Sequence, residues 1–377
     1  MTSTNVFSDI QQYIPIMGDM SLKTPIAYKA TRGIARVFNT TQMALAFAYI
    51  NGLEIPDSMF QRLLHTSMPI LFQHCPGLLA PYEWVLKESD SLAESSQELM
   101  KIQYDLPQEM LNLMLGDWQV IYPKYSMGLW EDGATDLQQS QMHMIDQVIE
   151  RLEIVDGDHI LDLGCGWGCV ANYIMSKFPN VRFTGLNLSH RQCEYIRHKM
   201  QNPQSYLSSD RFTLYEGDFN EVKFIEKFDK ILSIGVFEHI GNLTNALEKL
   251  ASFLKSDGKV FIHIITVRIP NHMSSGFTHK YIFPHGRYWN YDAIPSHNRD
   301  LKTVDRWYIN GMNYHKTLTM WLQRFDHYQE TIKSLDYGMD YEKFRRIWRF
   351  YLLMLGTIFA TCQGEYNGNG QYLMVRH

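Results

Sequence analysis

Ile160-Leu161-Asp162-Leu163-Gly164-Cys165-Gly166-Trp167-Gly168 is the stretch on which the reading of this chain turns. Its first half is a short apolar run with one acid inside it, and its second half carries a glycine at every other position. A buried strand that ends in a tight glycine turn and then opens a helix has this pattern. Glycine lets the backbone turn sharply and lets a ligand come close to the main chain. The first N–H groups of the following helix then point at that ligand. Taken alone, such a turn is a weak signal, because many glycine turns are only turns.

Its surroundings strengthen it. Strand one spans His159 to Leu163, with a helix over about 168–178. Strand two, Val181 to Asn187, is followed by a helix from Ser189 to about Met200. Asn187 stands at its end, where dinucleotide folds carry the acid that reaches a ribose. Strand three is Arg211 to Glu216, and Gly217-Asp218-Phe219 follow it. Strand four is Lys230 to Ile234, and a helix over Asn242 to Leu254 leads to strand five, Lys259 to Thr266. Upstream, Met142, Ile145, Val148, Ile149 and Leu152 lie at helical spacing, behind Thr135-Asp136-Leu137-Gln138, which reads as a capping box. Strand–helix alternation predicts an α/β fold, a doubly wound parallel sheet with helices on both faces. Residues 267–315 break the alternation and are crowded with His, Tyr, Trp, Pro and Asn. An insertion this long is usually functional or disordered, and its aromatic content argues against disorder. It reads as a lid and pocket wall. Helices resume over about 317–335 and 340–361, with a last strand at Gln371 to Val375.

The whole chain sets further bounds. Its 377 residues, 45% of them apolar, suffice for one large domain with an extension or for two small ones. A net charge of −5 and a pI near 6.3 lack the basic excess of a nucleic-acid binder. Five cysteines, at 75, 165, 169, 193 and 362, form no disulfide framework and no zinc-like spacing. They suggest reduced thiols and a cytoplasmic setting, and no metal is expected. No signal peptide is read at the N-terminus. The longest apolar runs, Met43–Ile50 and Phe350–Cys362, fall short of the ~20 residues of a membrane span. Residues 26–50 and 57–75 have helical spacing, and 80–101 read as a helix or linker. Residues 1–100 are therefore expected to be a helical extension, acting as a cap or as the layer that forms a homodimer, and 101–377 the main domain.

The phrase Leu161-Asp162-Leu163-Gly164-Cys165-Gly166-Trp167-Gly168 resembles motif I of class I S-adenosylmethionine-dependent methyltransferases. Its form is similar to that of the cyclopropane-fatty-acid synthase family, which includes mycolic acid methyltransferases and coclaurine-type N-methyltransferases. Tyr125-Ser126, Leu188-Ser189-His190-Arg191-Gln192, Phe237-Glu238-His239 and Tyr314-His315-Lys316-Thr317 with Trp321-Leu322 extend the likeness over roughly residues 100–377. The resemblance implies a Rossmann-like seven-stranded sheet and S-adenosyl-L-methionine as cosubstrate. Gly164 and Gly166 would let the backbone approach its amino acid part, and Asn187 and Gln192 would bond its ribose. Asp218 would accept from the adenine amino group, and Tyr125 and Ser126 would contact the carboxylate end. Asp162, Phe219 and Ile234, at ends of the same strands, complete the cofactor set.

Phe237-Glu238-His239 follows strand four directly, so its polar side chains should face the chemistry beyond the strand ends. An amine acceptor enters as an ammonium. A carboxylate can hold it, and a His or Glu near neutral pKa can take its proton. A helix start with an acid favoured by the dipole explains Glu238 as well, but not His239. His263 and Tyr314 match positions that, with Glu238, hold a bicarbonate ion in cyclopropane synthases. The cysteine of that site falls on Met127 here. Gly235 follows the lipid-acting branch, whereas Phe283-Pro284-His285-Gly286, Ile347-Trp348-Arg349 and Tyr366-Asn367-Gly368 look more like the N-methyltransferase branch. The aromatic lid, with Tyr281, Phe283, Tyr288, Trp289, Tyr291, Trp307 and Tyr308, suits a cationic amine, an acyl chain, or a packed satellite core. Lys343, Arg345, Arg346 and Arg349 read as a solvated helix face rather than a lipid patch. The expectation is a methyltransferase acting on a small-molecule amine. The alternative is a bicarbonate-assisted enzyme on unsaturated acyl chains. A binding module that keeps the cofactor pocket without chemistry is the third reading.

Overall fold

The computed structural model describes residues 44–74, 89–93, 100, 102, 106–116, 124–131, 133–268, 276–284, 286–297 and 299–377. The glycine-rich stretch folds as its pattern predicts. β1 (His159–Leu163) is buried along its length and turns at Gly164 into a short loop ahead of a helix. Gly164 has φ +77°, and a Cβ there would lie 2.3 Å from Val236 Cγ2. Conformation and close approach both require glycine.

Along the chain, a helical segment over 44–50 precedes α1 (Asp57–His74), α2 (Gln108–Leu115) and α3 (Leu137–Leu152). After β1 come α4 (Cys169–Lys177), β2 (Arg182–Asn187), α5 (His190–Met200), β3 (Phe212–Glu216), β4 (Phe228–Ile234), α6 (Leu243–Phe253) and β5 (Leu254–Val267). Then follow β6 (Trp289–Asn290), β7 (Leu301–Ile309), α7 (Met312–His327), α8 (Tyr341–Ala360) and β8 (Asn367–Arg376). The sheet runs β3-β2-β1-β4-β5-β8-β7, with the two-residue β6 beside β5. β3, β2, β1, β4 and β5 are parallel, and β8 lies antiparallel between β5 and β7. Strand order reverses between β1 and β4, which is where open α/β sheets bind ligands.

Alternation along β1 divides the core. Leu161 and Leu163 face α6, packing with Leu243, Leu247 and Leu250. Ile160 faces the other layer, with Met144, Ile145 and Val148 of α3. Sheet and helices thus form the seven-stranded Rossmann-like architecture the sequence implies. Several details differ from the sequence reading, among them the starts of the last strand, at Asn367, and of α7, at Met312. α3 is capped by Asp136, whose side chain accepts from Gln139 N at 2.8 Å, and Gln139 Oε1 accepts from Thr135 N. The box is therefore shifted by one residue. β5 begins five residues early, at Leu254. β7, inside the stretch read as insertion, is the edge of the sheet. One of its neighbours is solvent, so its charged, half-exposed pattern gives little strand signal.

The front of the chain packs on α8. Tyr49, Phe60 and Phe350 form an aromatic cluster with centroid separations of 5.0–6.0 Å. Of the basic cluster on α8, Lys343 is exposed, whereas the three arginines are part-buried and paired with acids. Arg349 donates to both oxygens of Asp57 and to Asp326, and Arg346 pairs with Glu54 and the Tyr49 carbonyl. These arginines tie α1 and its approach to the C-terminal helices. The expected helix over 26–43 and most of 80–101 lie outside the described residues. Among the described residues no helix is long and apolar enough to cross a membrane.

Candidate active site

Two connected chambers open at the carboxyl ends of β1 and β4. The first has an empty volume of about 1010 Å³ and is floored by the Gly164–Trp167 turn. Tyr125, Ser126, Asp162, Gly164, Gly166, Asn187, Gln192, Asp218 and Ile234 all line it, so the structure gathers nearly all of the predicted cofactor set. Phe219 is the exception. It is buried in the layer below the sheet, with the Lys249 ammonium 5.4 Å from its ring centre. The residue next to Asp218 faces inward because the chain turns there.

Asn187 organises this chamber. Its amide donates to the Gly166 carbonyl at 2.8 Å and to Gln192 Oε1 at 3.0 Å, while its Oδ1 accepts from Ser189 N. One side chain thus joins the glycine turn, β2 and the start of α5. Gln192 is buried, not on an exposed helix face. With its Oε1 engaged by Asn187, it keeps an NH₂ for a ribose hydroxyl. Asp218 Oδ1 accepts from Asn220. A Cβ at Gly166 would meet nothing within 4 Å, so the main chain there fronts open space. Asp162 is buried, its Oδ2 has no hydrogen-bond partner, and burial raises its pKa to about 8. An unpartnered buried acid beside an open glycine turn fits the ammonium of an amino acid ligand. The residues present therefore suit S-adenosylmethionine.

The second chamber, about 580 Å³, contains Glu238, His239, His263 and Tyr314 and shares Tyr125, Ser126, Gly235 and His239 with the first. Phe237–His239 is a single 3-10 turn after β4. The insertion pins it from outside: Arg287 N donates to the Glu238 carbonyl at 2.7 Å, and Trp289 Nε1 to the Phe237 carbonyl at 2.9 Å. Glu238 Oε1 accepts from Ile265 N at 2.8 Å, and Oε2 has no partner. Burial raises this carboxyl to about 7 despite the hydrogen bond that favours its ion. Burial lowers His239 to about 4, so its ring is neutral.

His263 is held on both sides of its ring. Both ring nitrogens are engaged, Nδ1 by Gln371 Nε2 at 3.0 Å and Nε2 by the Asn369 amide at 2.9 Å. Arg151 donates to Gln371 Oε1, which turns the Gln371 NH₂ toward Nδ1. Nε2 then carries the proton and Asn369 presents its oxygen, consistent with an Asn369 Oδ1 that otherwise has no partner. Burial, then the nearby cations Lys124 and Arg151, lower His263 to about 3. It is a neutral clamp.

Of the seven aromatics of the insertion, only Phe283 and Tyr288 line the second chamber. Trp289, Tyr291 and Tyr308 anchor the lid through backbone hydrogen bonds and ring contacts, and Trp307 lies under Arg151. The missing wall is Tyr351 of α8, whose hydroxyl sits 3.4 Å from that of Tyr125. Tyr351 lies in a helix whose apolar stripe looks like ordinary core, so periodicity hides it. Lys124 is the other residue the sequence reading missed. It is buried at the chamber floor and donates to Ser126 Oγ at 2.5 Å and to the Met127 carbonyl at 2.8 Å.

A family model described as mycolic acid cyclopropane synthetase matches residues 92–366. (S)-coclaurine N-methyltransferase of Papaver somniferum is 28% identical over 288 residues, covering 73% of this chain and 78% of its own. Cyclopropane-fatty-acyl-phospholipid synthase of Escherichia coli (strain K12) is 27% identical over 351 residues, covering 89% and 82%. Among solved structures, coclaurine N-methyltransferase bound to N-methylheliamine and SAH is similar in fold. Its TM-score is 0.76 at 23% identity, over 89% of this chain and 99% of that one.

Proposed function

This chain belongs to the mycolic acid cyclopropane synthetase family, whose model spans most of it, and from that premise we propose that its acceptor is the nitrogen of a small amine. It is an S-adenosylmethionine-dependent methyltransferase. The cosubstrate supplies a methyl group on a sulfonium; the protein must hold donor and acceptor in line and exclude water.

One observation carries the amine reading: a buried carboxyl, Glu238, with one oxygen fixed by Ile265 N and the other unpartnered, in a chamber walled by Tyr125, Phe283, Tyr288 and Tyr351. The ionised form attracts an ammonium, and the aromatic faces add cation–π attraction. A carboxyl near pKa 7 is matched to its task at neutral pH. Glu238 removes one proton from the bound ammonium and becomes a neutral acid. The freed nitrogen lone pair forms the new C–N bond as the donor C–S bond breaks. The acid then returns its proton to solvent. His239, neutral and on the boundary of both chambers, positions the nitrogen opposite the donor. Similarity to amine methyltransferases such as that of Papaver somniferum supports the same reading.

Methylation of an acyl chain with bicarbonate as base is the alternative. Similarity to the E. coli cyclopropane synthase and Gly235 favour it. Against it stand His263, whose nitrogens are both engaged, and Met127 where that site has cysteine. Incubation with labelled donor and a panel of amines and unsaturated phospholipids, with and without bicarbonate, tests the proposal. Label in amines alone supports it. Label in phospholipids that depends on bicarbonate overturns it. A cytoplasmic setting, in keeping with four free cysteines among the described residues, and a homodimer belong to the same reading. Sedimentation of the purified protein would report the assembly.

A further inference from the structure

We propose that Lys124 is a positioning residue for the donor, its ammonium receiving the carboxylate at the amino acid end of S-adenosylmethionine. Asn187, Gln192 and Asp218 gather at the β2 and β3 side of the first chamber and suit the nucleoside. The amino acid end then lies over the Gly164 turn, between β1 and the 124–126 segment. Lys124 faces it there. Ser126 Oγ and the Met127 carbonyl take two of its three protons and fix its direction, which leaves one for a ligand.

Charge makes the same argument. The groups that act on Lys124 electrostatically are Cys169 of α4 and His263 of β5, and neither carries charge near neutral pH. Burial pushes the Cys169 thiol up to about 12 and His263 down to about 3. Among the described residues no carboxylate is paired with Lys124, although a buried charge is normally paired. Burial lowers its own pKa to about 7. Asp162, in the same chamber, shows the opposite shift and an unpartnered oxygen. A buried acid and a buried amine, each lacking a counter-charge, match a zwitterion. Asp162 takes the ammonium and Lys124 the carboxylate.

This inference rests on the donor, not on the identity of the acceptor. The test is calorimetry with S-adenosylhomocysteine and with 5′-methylthioadenosine, which keeps nucleoside and sulfur but lacks the amino acid end. Lys124→Met should weaken S-adenosylhomocysteine roughly 10- to 100-fold, as expected for loss of one charge-assisted hydrogen bond. It should leave 5′-methylthioadenosine within about twofold. Lys124→Arg should recover most of the loss. Lys124→Gln, which keeps donors for Ser126 and Met127 but no charge, should show the same split as methionine and guards against misfolding of that variant. Equal losses for both ligands in the glutamine variant, or no loss for either, would overturn the role of Lys124 while leaving the donor in place. A wild-type protein that binds neither ligand would overturn the donor assignment as well.

Discussion

Replacing Glu238 by glutamine should stabilise the protein while abolishing its activity toward amines. Glu238 is 9% exposed, and burial raises its pKa from 4.5 to about 7. In the unfolded chain it returns to the ordinary value. Below pH 4.5 both states hold the proton, and the acid costs nothing. Between pH 4.5 and 7 the unfolded chain releases the proton while the folded chain keeps it, so stability is lost across that window. Above pH 7 the loss is complete. At about 1.4 kcal/mol for each tenfold change in proton affinity, a rise from 4.5 to about 7 amounts to roughly 3 kcal/mol. Glutamine keeps an oxygen for Ile265 N and escapes the penalty. Urea unfolding at pH 5 and pH 8 measures it. The two proteins should lie close together at pH 5, and the variant should lead by up to ~3 kcal/mol at pH 8. Methyl transfer to amines should fall at least ~100-fold, the usual worth of a positioned base, with S-adenosylhomocysteine affinity unchanged. A variant less stable than wild type at pH 8, a gap equal at both pH values, or retained turnover would refute the reasoning.

Other perturbations probe separate parts of the structure. Gly164→Ala forces a side chain into positive φ and against Val236, so it should cost about 1–3 kcal/mol and weaken donor binding in calorimetry. Adding Val236→Ala should restore part of the loss. Arg349→Ala removes the links to Asp57 and Asp326, and because those partners are partly exposed the cost should be only about 1–2 kcal/mol. Limited proteolysis within α1 should speed up while cuts in the sheet do not. Nuclear magnetic resonance of the His263 ring should show no titration between pH 5 and 9, whereas a midpoint near 6.5 would mean its nitrogens are not held by Asn369 and Gln371.

What the chain made legible from sequence follows from how its signals arise. β1, its glycine turn and the ends of β2 and β4 are local. A few consecutive residues carry both the strand pattern and the ligand geometry, and the structure brings them to one chamber. The lid was half legible. Its aromatics signal a packed element, but which of them face a cavity depends on partners far along the chain. Only Phe283 and Tyr288 do, and Tyr351 arrives from α8. β7 went unseen because an edge strand pairs on one side and needs no continuous apolar face. Lys124 has no periodic or motif signal; only burial beside Cys169 and Ser126 sets it apart. The arginines of α8 read as a solvated face because their acidic partners sit nearly three hundred residues upstream in α1 or across a turn in α7.

β8 is made after every strand it touches, yet it lies between two of them. Until it is synthesised, β5 and β7 face a gap one strand wide. The same strand brings Asn369 and Gln371 to the imidazole of His263. Synthesis proceeds from the N-terminus and such distant pairings form slowly, so closing the sheet and completing the wall of the second chamber are expected to coincide late in folding. A ribosome-bound or C-terminally clipped chain could fold its nucleoside-binding half and still have no finished place for an acceptor.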